Sequence, residues 1–591
     1  MSPFFSINKA VNAKFLPATR EEMESLGWDR PDIVLVTGDA YVDHPSFGIA
    51  LIGRWLEAHG YRVAILAQPR HHDERDFKRF GRPRLFFGIS SGNLDSIVSN
   101  YTSNARIRTR DAYSPFGDPY FKGPKTKANR RRPDRAVIVY SNLARRAYPG
   151  VPIVLGGIEA SLRRFIHFDF QQEKLRSSIL TDSKADILVY GMGERASLQI
   201  AKRIEKGLDL KGIKGTCTKV NPKALALIDT SHRILPSWEK IQSDIRLFLD
   251  AELMVDEIAR SGEDVSLLQE QKGGIMVFQN PPAAPLSAKE MDSLYGLYFS
   301  RLPHPLSGKV PAWEMIKDSI TVVRGCSGNC SFCAISRHQG PVVTSRSKKS
   351  VMEEVERLSN SSFFKGTITD LGGPTANLYG VTCKISYRCK KRDCLFPKVC
   401  KNLELDEDCM RTLLKKVQSH SKVRKVFISS GLRMELLLKT PRLFEDILKR
   451  HTPGALKIAP EHTEEEVLML MHKPGALVLE RFLSKARSIL NQGGKKENIT
   501  AYFMTSHPGC TLSHMEAMRR KLKRLGLPVR QFQDFTPTPG TISTAMYVTG
   551  LDRYNKQPIF VAKRRKDRMA QRKILESLMK KMGQGRSDVQ G

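Results

Sequence analysis

The 591-residue chain predicts an α/β protein in two parts. An N-terminal domain is built on a parallel sheet, and a partial (β/α)6 barrel follows it. Three observations carry the prediction. Short apolar runs alternate with helical patterns along the chain, as expected of parallel strands covered on both faces. Six strand-then-helix repeats follow one another in the second half. A Pro-rich stretch divides the halves. Apolar residues at 40% and charged residues at 27% match an ordinary soluble globular protein. That excludes a wholly disordered chain, a collagen-like repeat and a disulfide scaffold.

The elements follow in order. Asp32–Val36 is a short buried-strand run. Phe47–His59 places Ile49, Leu51, Ile52, Trp55 and Leu56 at helical spacing, and Gly60 ends it. Tyr61–Leu66, Arg84–Gly88, Ala136–Tyr140, Pro152–Leu155 and Asp186–Tyr190 are the remaining strand candidates. Phe116–Arg135 is rich in Pro, Gly and basic residues without periodicity, and reads as a loop. Six prolines crowd 281–312, which reads as a linker, so the N-terminal domain spans 1–280.

The barrel spans 313–561. Its strands are expected at Ser319–Val323, Gly366–Asp370, Lys425–Ser429, Ala455–Ala459, Thr500–Met504 and Arg530–Phe535. Ser350 with Glu353, and Thr463 with Glu466, read as capping boxes that open helices. The active face belongs at the C-terminal ends of the strands. Residues 562–591 form a basic tail that is a helix candidate, and its last eight or so residues read as disordered.

Charge and cysteine use narrow the chemistry. Lys plus Arg number 96 against 61 acidic residues, a net charge of +35 that favours a polyanionic partner such as nucleic acid. No apolar run approaches the roughly 18 residues of a membrane span. The start shows no charged segment followed by an apolar stretch, so the expectation is a cytoplasmic protein with reduced thiols. Ten cysteines there point to metal or catalysis before disulfides. Eight of them lie between 326 and 409, while Cys217 and Cys510 stand alone.

Arg324-Gly-Cys-Ser-Gly-Asn-Cys-Ser-Phe-Cys-Ala334 holds C-x3-C-x2-C just after the first barrel strand. Gly325, Gly328 and Asn329 allow tight turns, so Cys326, Cys330 and Cys333 can converge on one object. A 4Fe–4S cube needs four ligands, and three thiolates leave one iron open. A zinc knuckle would show paired C-x2-C or a nearby fourth ligand, which is missing. At this motif the sequence resembles the radical S-adenosylmethionine (radical SAM) superfamily. Gln279-Asn-Pro-Pro282, Arg301-Leu-Pro-His-Pro305 and Met546-Tyr-Val-Thr-Gly-Leu-Asp552 extend the resemblance to the YgiQ family, over about residues 20 to 580.

The resemblance implies a cluster on the three cysteines, with S-adenosylmethionine on the open iron. It implies reductive cleavage of the sulfonium to methionine and a 5′-deoxyadenosyl radical, fed by a low-potential electron donor. It implies cofactor contacts from Gly372 and Gly373 in Asp370-Leu-Gly-Gly-Pro374, where Pro374 replaces the usual Glu. It also implies cofactor contacts from Ser429 and Glu461, at the ends of the third and fourth strands. The Pro-Gly turns near 508 and 539 are similar to those of methylthiotransferases. Gly156-Gly-Ile-Glu-Ala-Ser161 and the Phe47–Leu66 segment make the first domain similar to the Rossmann-like cobalamin-binding domain of many radical SAM proteins. The cobalamin-ligating D-x-H-x-x-G is absent, since Asp43-His44-Pro45-Ser46-Phe47-Gly48 has the wrong spacing. A vestigial or substrate-gating domain is therefore expected.

Cys383, Cys389, Cys394 and Cys400 fall within the insertion at 375–409, among Lys and Arg. They suggest a second site for zinc or iron–sulfur, with Cys409 either a further ligand or core. Gly191-Met-Gly193-Glu194 reads as a helix-starting turn. His462 and His507, at strand ends, are open between a functional and a packed role. Tyr502 and Met504 read as core. Three functions follow: a radical SAM enzyme of unknown substrate, an RNA-modifying enzyme of methylthiotransferase type, or a metal-stabilised nucleic-acid-binding protein without catalysis. The expected partners are S-adenosylmethionine, an electron donor and, from the charge and the Pro-Gly turns, nucleic acid.

Overall fold

The computed structural model describes residues 13–221, 231–386, 389–390, 392–492 and 498–580. The expected disorder of the last residues, and Arg388 and Lys391 of the Cys-rich insertion, lie outside them.

The first domain is a nine-stranded sheet. Its strands are β1 (Ile33–Thr37), β2 (Val63–Ala67), β3 (Phe86–Ile89), β4 (Ile153–Leu155), β5 (Ile187–Val189), β6 (Thr216–Val220), β7 (His232–Ile234), β8 (Ser266–Glu270) and β9 (Met276–Gln279). The spatial order is β2-β1-β3-β4-β5-β6-β9-β8-β7. The first five strands in that order are parallel, which makes a doubly wound sheet with its switch point between β1 and β3. β1 is buried along its whole length, since helices cover both faces. Beyond β5 the sheet is mixed: β5–β6, β6–β9 and β8–β9 run antiparallel.

Three local expectations fail for identifiable reasons. Ala136–Tyr140 is the start of a helix, Ala136–Ala147, not a strand. Its β-branched run, Val137 to Val139, imitates a strand. Yet Ala136, Val137, Tyr140, Ser141, Leu143, Ala144 and Ala147 are the buried positions, and their spacing is helical. The proline-rich stretch carries the helix Ala288–Tyr295, opened by a capping box between Ser287 and Glu290. Neither predicted barrel box caps a helix. Lys348–Ser359 starts earlier, with Ser347 accepting from the Ser350 N–H. Glu465–Leu470 begins without a side-chain cap, and Thr463 instead donates to Glu464 at 2.8 Å.

The second domain supplies six parallel strands. They are β10 (Ser319–Thr321), β11 (Asp370–Gly372, after Thr367–Ile368), β12 (Lys425–Val426), β13 (Leu456–Glu461), β14 (Ile499–Thr505) and β15 (Val529–Asp534). β10 pairs with β11, and Thr367–Ile368 with β12. β13, β14 and β15 form a continuous ladder. Tyr502 is half-buried and Met504 buried on β14. The tail is part of this domain. Helix Arg565–Lys580 buries Ile574 and Leu575 in the barrel core. Its Gln571 accepts from the Ser506 N–H and donates to the Cys510 carbonyl, both at 2.7 Å.

The domains are joined by buried ion pairs. Arg324, at the start of the cysteine loop, donates to Glu194 of the first domain at 2.6 Å and to the Tyr295 hydroxyl at 3.0 Å. Arg337 meets Asp256 at 2.7 Å. Among the described residues no helix is long and apolar enough to cross a membrane.

Candidate active site

The loop after β10 turns sharply because two of its residues have positive φ. Gly325 has φ +79°, and a Cβ there would sit 1.9 Å from the Val342 carbonyl oxygen. Asn329 has φ +47°. Main-chain bonds then fix the loop: Cys326 N–H to Gly340 O at 3.1 Å, Cys333 N–H to Cys330 O at 3.0 Å and Ser331 N–H to Met471 O at 3.0 Å. Cys333 precedes helix Ala334–Gln339. Cys326, Cys330 and Cys333 line one cavity of about 170 Å³ at the C-terminal ends of the barrel strands.

Arg433, just beyond the third strand, faces the thiols. It donates to the Cys330 sulfur at 3.5 Å, while Asn377 clamps its main chain with two bonds of 2.9 and 3.0 Å. A Cβ on Gly328 would fall 1.2 Å from the guanidinium, so glycine there makes its seat. Burial disfavours the Arg433 charge, but Cys330, Glu435 and Cys326 outweigh it and hold the group firmly protonated. Burial, then its sister thiols, push the Cys333 thiol up to about 11. Arg433 closes the segment Ile428–Arg433 that marks the third strand's end. Its own role has no spacing signature, since only the fold shows that the guanidinium reaches the loop.

Glu461 lines the same cavity at the end of β13, with φ +68°. Its Oε2 is buried without a hydrogen-bond partner. Burial raises its carboxyl against the pull of Lys473 and Arg433. The other residues expected at the cofactor are placed differently. Gly372 packs on Ser430, where a Cβ would meet the hydroxyl at 1.9 Å, and Gly373 on the Val323 carbonyl at 2.3 Å. Gly373 lines a neighbouring cavity instead. The Ser429 hydroxyl donates to the Thr369 carbonyl at 2.7 Å, and its N–H to Asp370 at 2.8 Å.

The two histidines separate. His462 lines the cavity, accepts from the Glu464 N–H at 3.1 Å and stands 3.5 Å from the Cys510 sulfur. His507 is fully buried, with one ring nitrogen 2.7 Å from the Ser543 hydroxyl and the other 2.8 Å from the Pro508 carbonyl. His507 is thus a packed residue.

A second cavity of about 540 Å³ lies between the domains. Its floor is the C-terminal end of the doubly wound sheet, the usual ligand crevice of such folds. Thr37, Ser90, Gly156 and Gly191 come from the first domain, and Val323, Arg324, His338 and Gly373 from the second. The helix after Gly193 opens onto it, so the Gly191–Glu194 turn starts a helix as expected. Ile335 and Pro374 line both cavities and form the partition between them. His338 stands 2.9 Å from the Ser161 hydroxyl, which donates onward to Gly157 O and accepts from the Gly191 N–H. Burial lowers the His338 pKa to about 4, so the ring is neutral.

With this geometry in view, two family models match end to end. They are the radical SAM N-terminal model over 15–319 and the radical SAM superfamily model over 320–522. A UPF0313 protein of Geobacter sulfurreducens is 44% identical, covering 95% of this chain and 92% of its own. One from Thermotoga maritima is 46% identical, covering 93% and 96%. The chain belongs to the UPF0313, or YgiQ, family of radical SAM proteins. Solved structures with a similar trace include the radical SAM methyltransferase TsrM of Kitasatospora setae, with cobalamin and a [4Fe-4S] cluster bound. Its TM-score is 0.48 at 14% identity, over 86% of this chain and 76% of that one. OxsB, a cobalamin-dependent radical SAM enzyme, gives 0.46 at 10%, over 96% and 64%.

Among the described residues no group of three or more His, Cys, Asp or Glu side chains stands arranged to hold a metal ion, the loop thiols included. The donor set nevertheless fits the family's cluster. Three thiols open on one cavity, an obligatory cation faces them, and an unpartnered carboxylate oxygen lies across from them.

Proposed function

We propose that the chain is a radical SAM enzyme that holds a 4Fe–4S cluster on Cys326, Cys330 and Cys333. We propose further that its substrate binds in the cavity between the domains. Held at the three cysteines, cluster and S-adenosylmethionine would supply a 5′-deoxyadenosyl radical, given an electron from a low-potential donor. The chain's own residues do the rest. Gly325 and Asn329 shape the loop so that three thiols face one space. Arg433 offsets the negative charge gathered there. Glu461 offers its free oxygen to a cationic or hydroxyl group of the cofactor. The observation that carries the reading is the shared partition: Ile335 and Pro374 line both cavities, so a molecule in the larger one lies beside the cluster cavity.

The size of the interdomain cavity favours a small molecule, or a small part of a larger one, as the group acted on. The chain requires an electron donor as partner. Nucleic acid has only the net charge and the Pro-Gly turns in its favour.

Anaerobic reconstitution with iron and sulfide tests the proposal. About four irons per chain should be retained. The electron paramagnetic resonance spectrum of the reduced chain should change on adding S-adenosylmethionine. A chain with Cys326, Cys330 and Cys333 all changed to alanine should show neither effect. Retention of the full wild-type iron by that triple variant would defeat the assignment.

A further inference from the structure

The insertion between 381 and 409 is poorly supplied with core. Leu395 is the one buried residue among those described, and its only ladder pairs Thr382–Cys383 with Leu403–Glu404. A segment of this size without a core ordinarily needs a staple. Its four clustered cysteines are half-buried, and none is joined in a disulfide. Main-chain bonds bring the backbones of Cys383, Cys394 and Cys400 together. Cys383 sits on the ladder, the Lys384 N–H donates to Asn402 O at 3.0 Å, and the Cys400 N–H to Cys394 O at 2.8 Å. The Asn402 N–H also donates to the Cys400 sulfur at 3.4 Å, as a thiolate ligand would be supported. Cys394 is the hub. Cys400, Cys389 and Cys383 all lie within electrostatic reach of its thiol. Cys409 stands apart. It lies in helix Glu407–Gln418, where Lys348 and Asp406, not the other cysteines, act on it.

We propose that Cys383, Cys389, Cys394 and Cys400 bind one structural zinc ion as a closed tetrathiolate site, and that this ion steadies the cluster loop. As at Cys326–Cys333, the thiols are not yet arranged around a metal, so the ion itself draws them in. The steadying runs through the two residues before Cys394. The Arg392 carbonyl accepts from Asn329 of the cluster loop at 3.0 Å. Asp393 meets His472 of the barrel at 2.8 Å and Arg260 of the first domain at 3.6 Å. One ion would thus fix the point where loop, barrel and first domain meet. Four thiolates leave no open position, which suits a structural role.

Metal counts on the chain with Cys326, Cys330 and Cys333 changed to alanine separate this site from the cluster. The expected result is about one zinc per chain. Cys394→Ser or Cys383→Ser in that background should lower zinc at least roughly tenfold, while Cys409→Ser leaves it unchanged. Should a serine variant be insoluble, the triple-alanine chain loaded with cobalt(II) reports directly, through the intense visible bands of tetrahedral cobalt thiolate. No zinc and no such bands, or zinc that survives Cys394→Ser, would overturn the site. So would about eight irons in the reconstituted wild-type chain, which would make it a second cluster. With Cys326, Cys330 and Cys333 intact, Cys394→Ser should also retain severalfold less iron. Full iron retention without zinc would overturn the steadying role.

Discussion

Arg433 and Gly328 act as one device. The glycine leaves the space that the guanidinium fills, and the guanidinium faces Cys330 and Cys326. Gly328→Ala should therefore displace Arg433 without removing it. Both Gly328→Ala and Arg433→Ala should lower iron retained after reconstitution by roughly tenfold, the scale of lost ligand-supporting contacts. Circular dichroism should stay unchanged. A Gly328→Ala chain that keeps its full iron would show that the two are not coupled. The C-x3-C-x2-C spacing is legible in the sequence, because all three ligands lie within eight residues. Arg433 is not, because its partner is about a hundred residues away and only the barrel's closure joins them.

A pH dependence also belongs to single residues. His462 and His507 are each held down to about 3, first by burial. In the unfolded chain they titrate near 6.5, at about the reference value. Between those values the unfolded state binds more protons, so stability falls as pH falls. The urea midpoint should drop between about pH 7 and pH 5. His507→Asn, which cannot titrate, should show a shallower drop. An equal slope in that variant would assign the effect elsewhere.

At the scale of elements, the C-terminal helix lies where the sequence suggests one, but it packs into the core instead of standing in solvent. Residues 563–588 carry ten basic and three acidic side chains, which reads as a solvated tail. The described helix buries Ile574 and Leu575 and bonds to the loop after β14. The apolar positions are there, but charge hides them in composition. Leu575→Ala should cost about 2–5 kcal/mol by chemical denaturation, the range for a buried leucine. A change within about 0.5 kcal/mol would make the helix peripheral. The barrel strands are legible mainly because short runs such as Ile499–Thr505 are apolar and followed by a helical pattern, whereas Val529–Asp534 is mostly polar and is placed by the repeat. Ala136–Ala147 is not legible, since its β-branched start outweighs a helical period that shows only over its whole length.

Over the whole molecule, the two halves read separately are one device. The doubly wound sheet presents its strand ends to the cluster loop, and Arg324 paired to Glu194 locks that arrangement beneath the larger cavity. The net charge of +35 is less informative than it looks. Within 106–135, Arg130 and Arg132 are buried, and Arg132 is paired with Asp39 and Asp111. Arg132 at least serves the fold. The cysteine count carries more. Three face the cluster cavity, four gather in the insertion, and Cys217, Cys409 and Cys510 belong to packing. The measurement that tests the central claim most directly is the product of S-adenosylmethionine cleavage. The reconstituted chain, reduced without oxygen, should form 5′-deoxyadenosine and methionine in equal amounts. Single alanine variants of Cys326, Cys330 and Cys333 should each abolish both products. Undiminished 5′-deoxyadenosine from any of the three, or none from a wild-type chain with a full cluster, would contradict it.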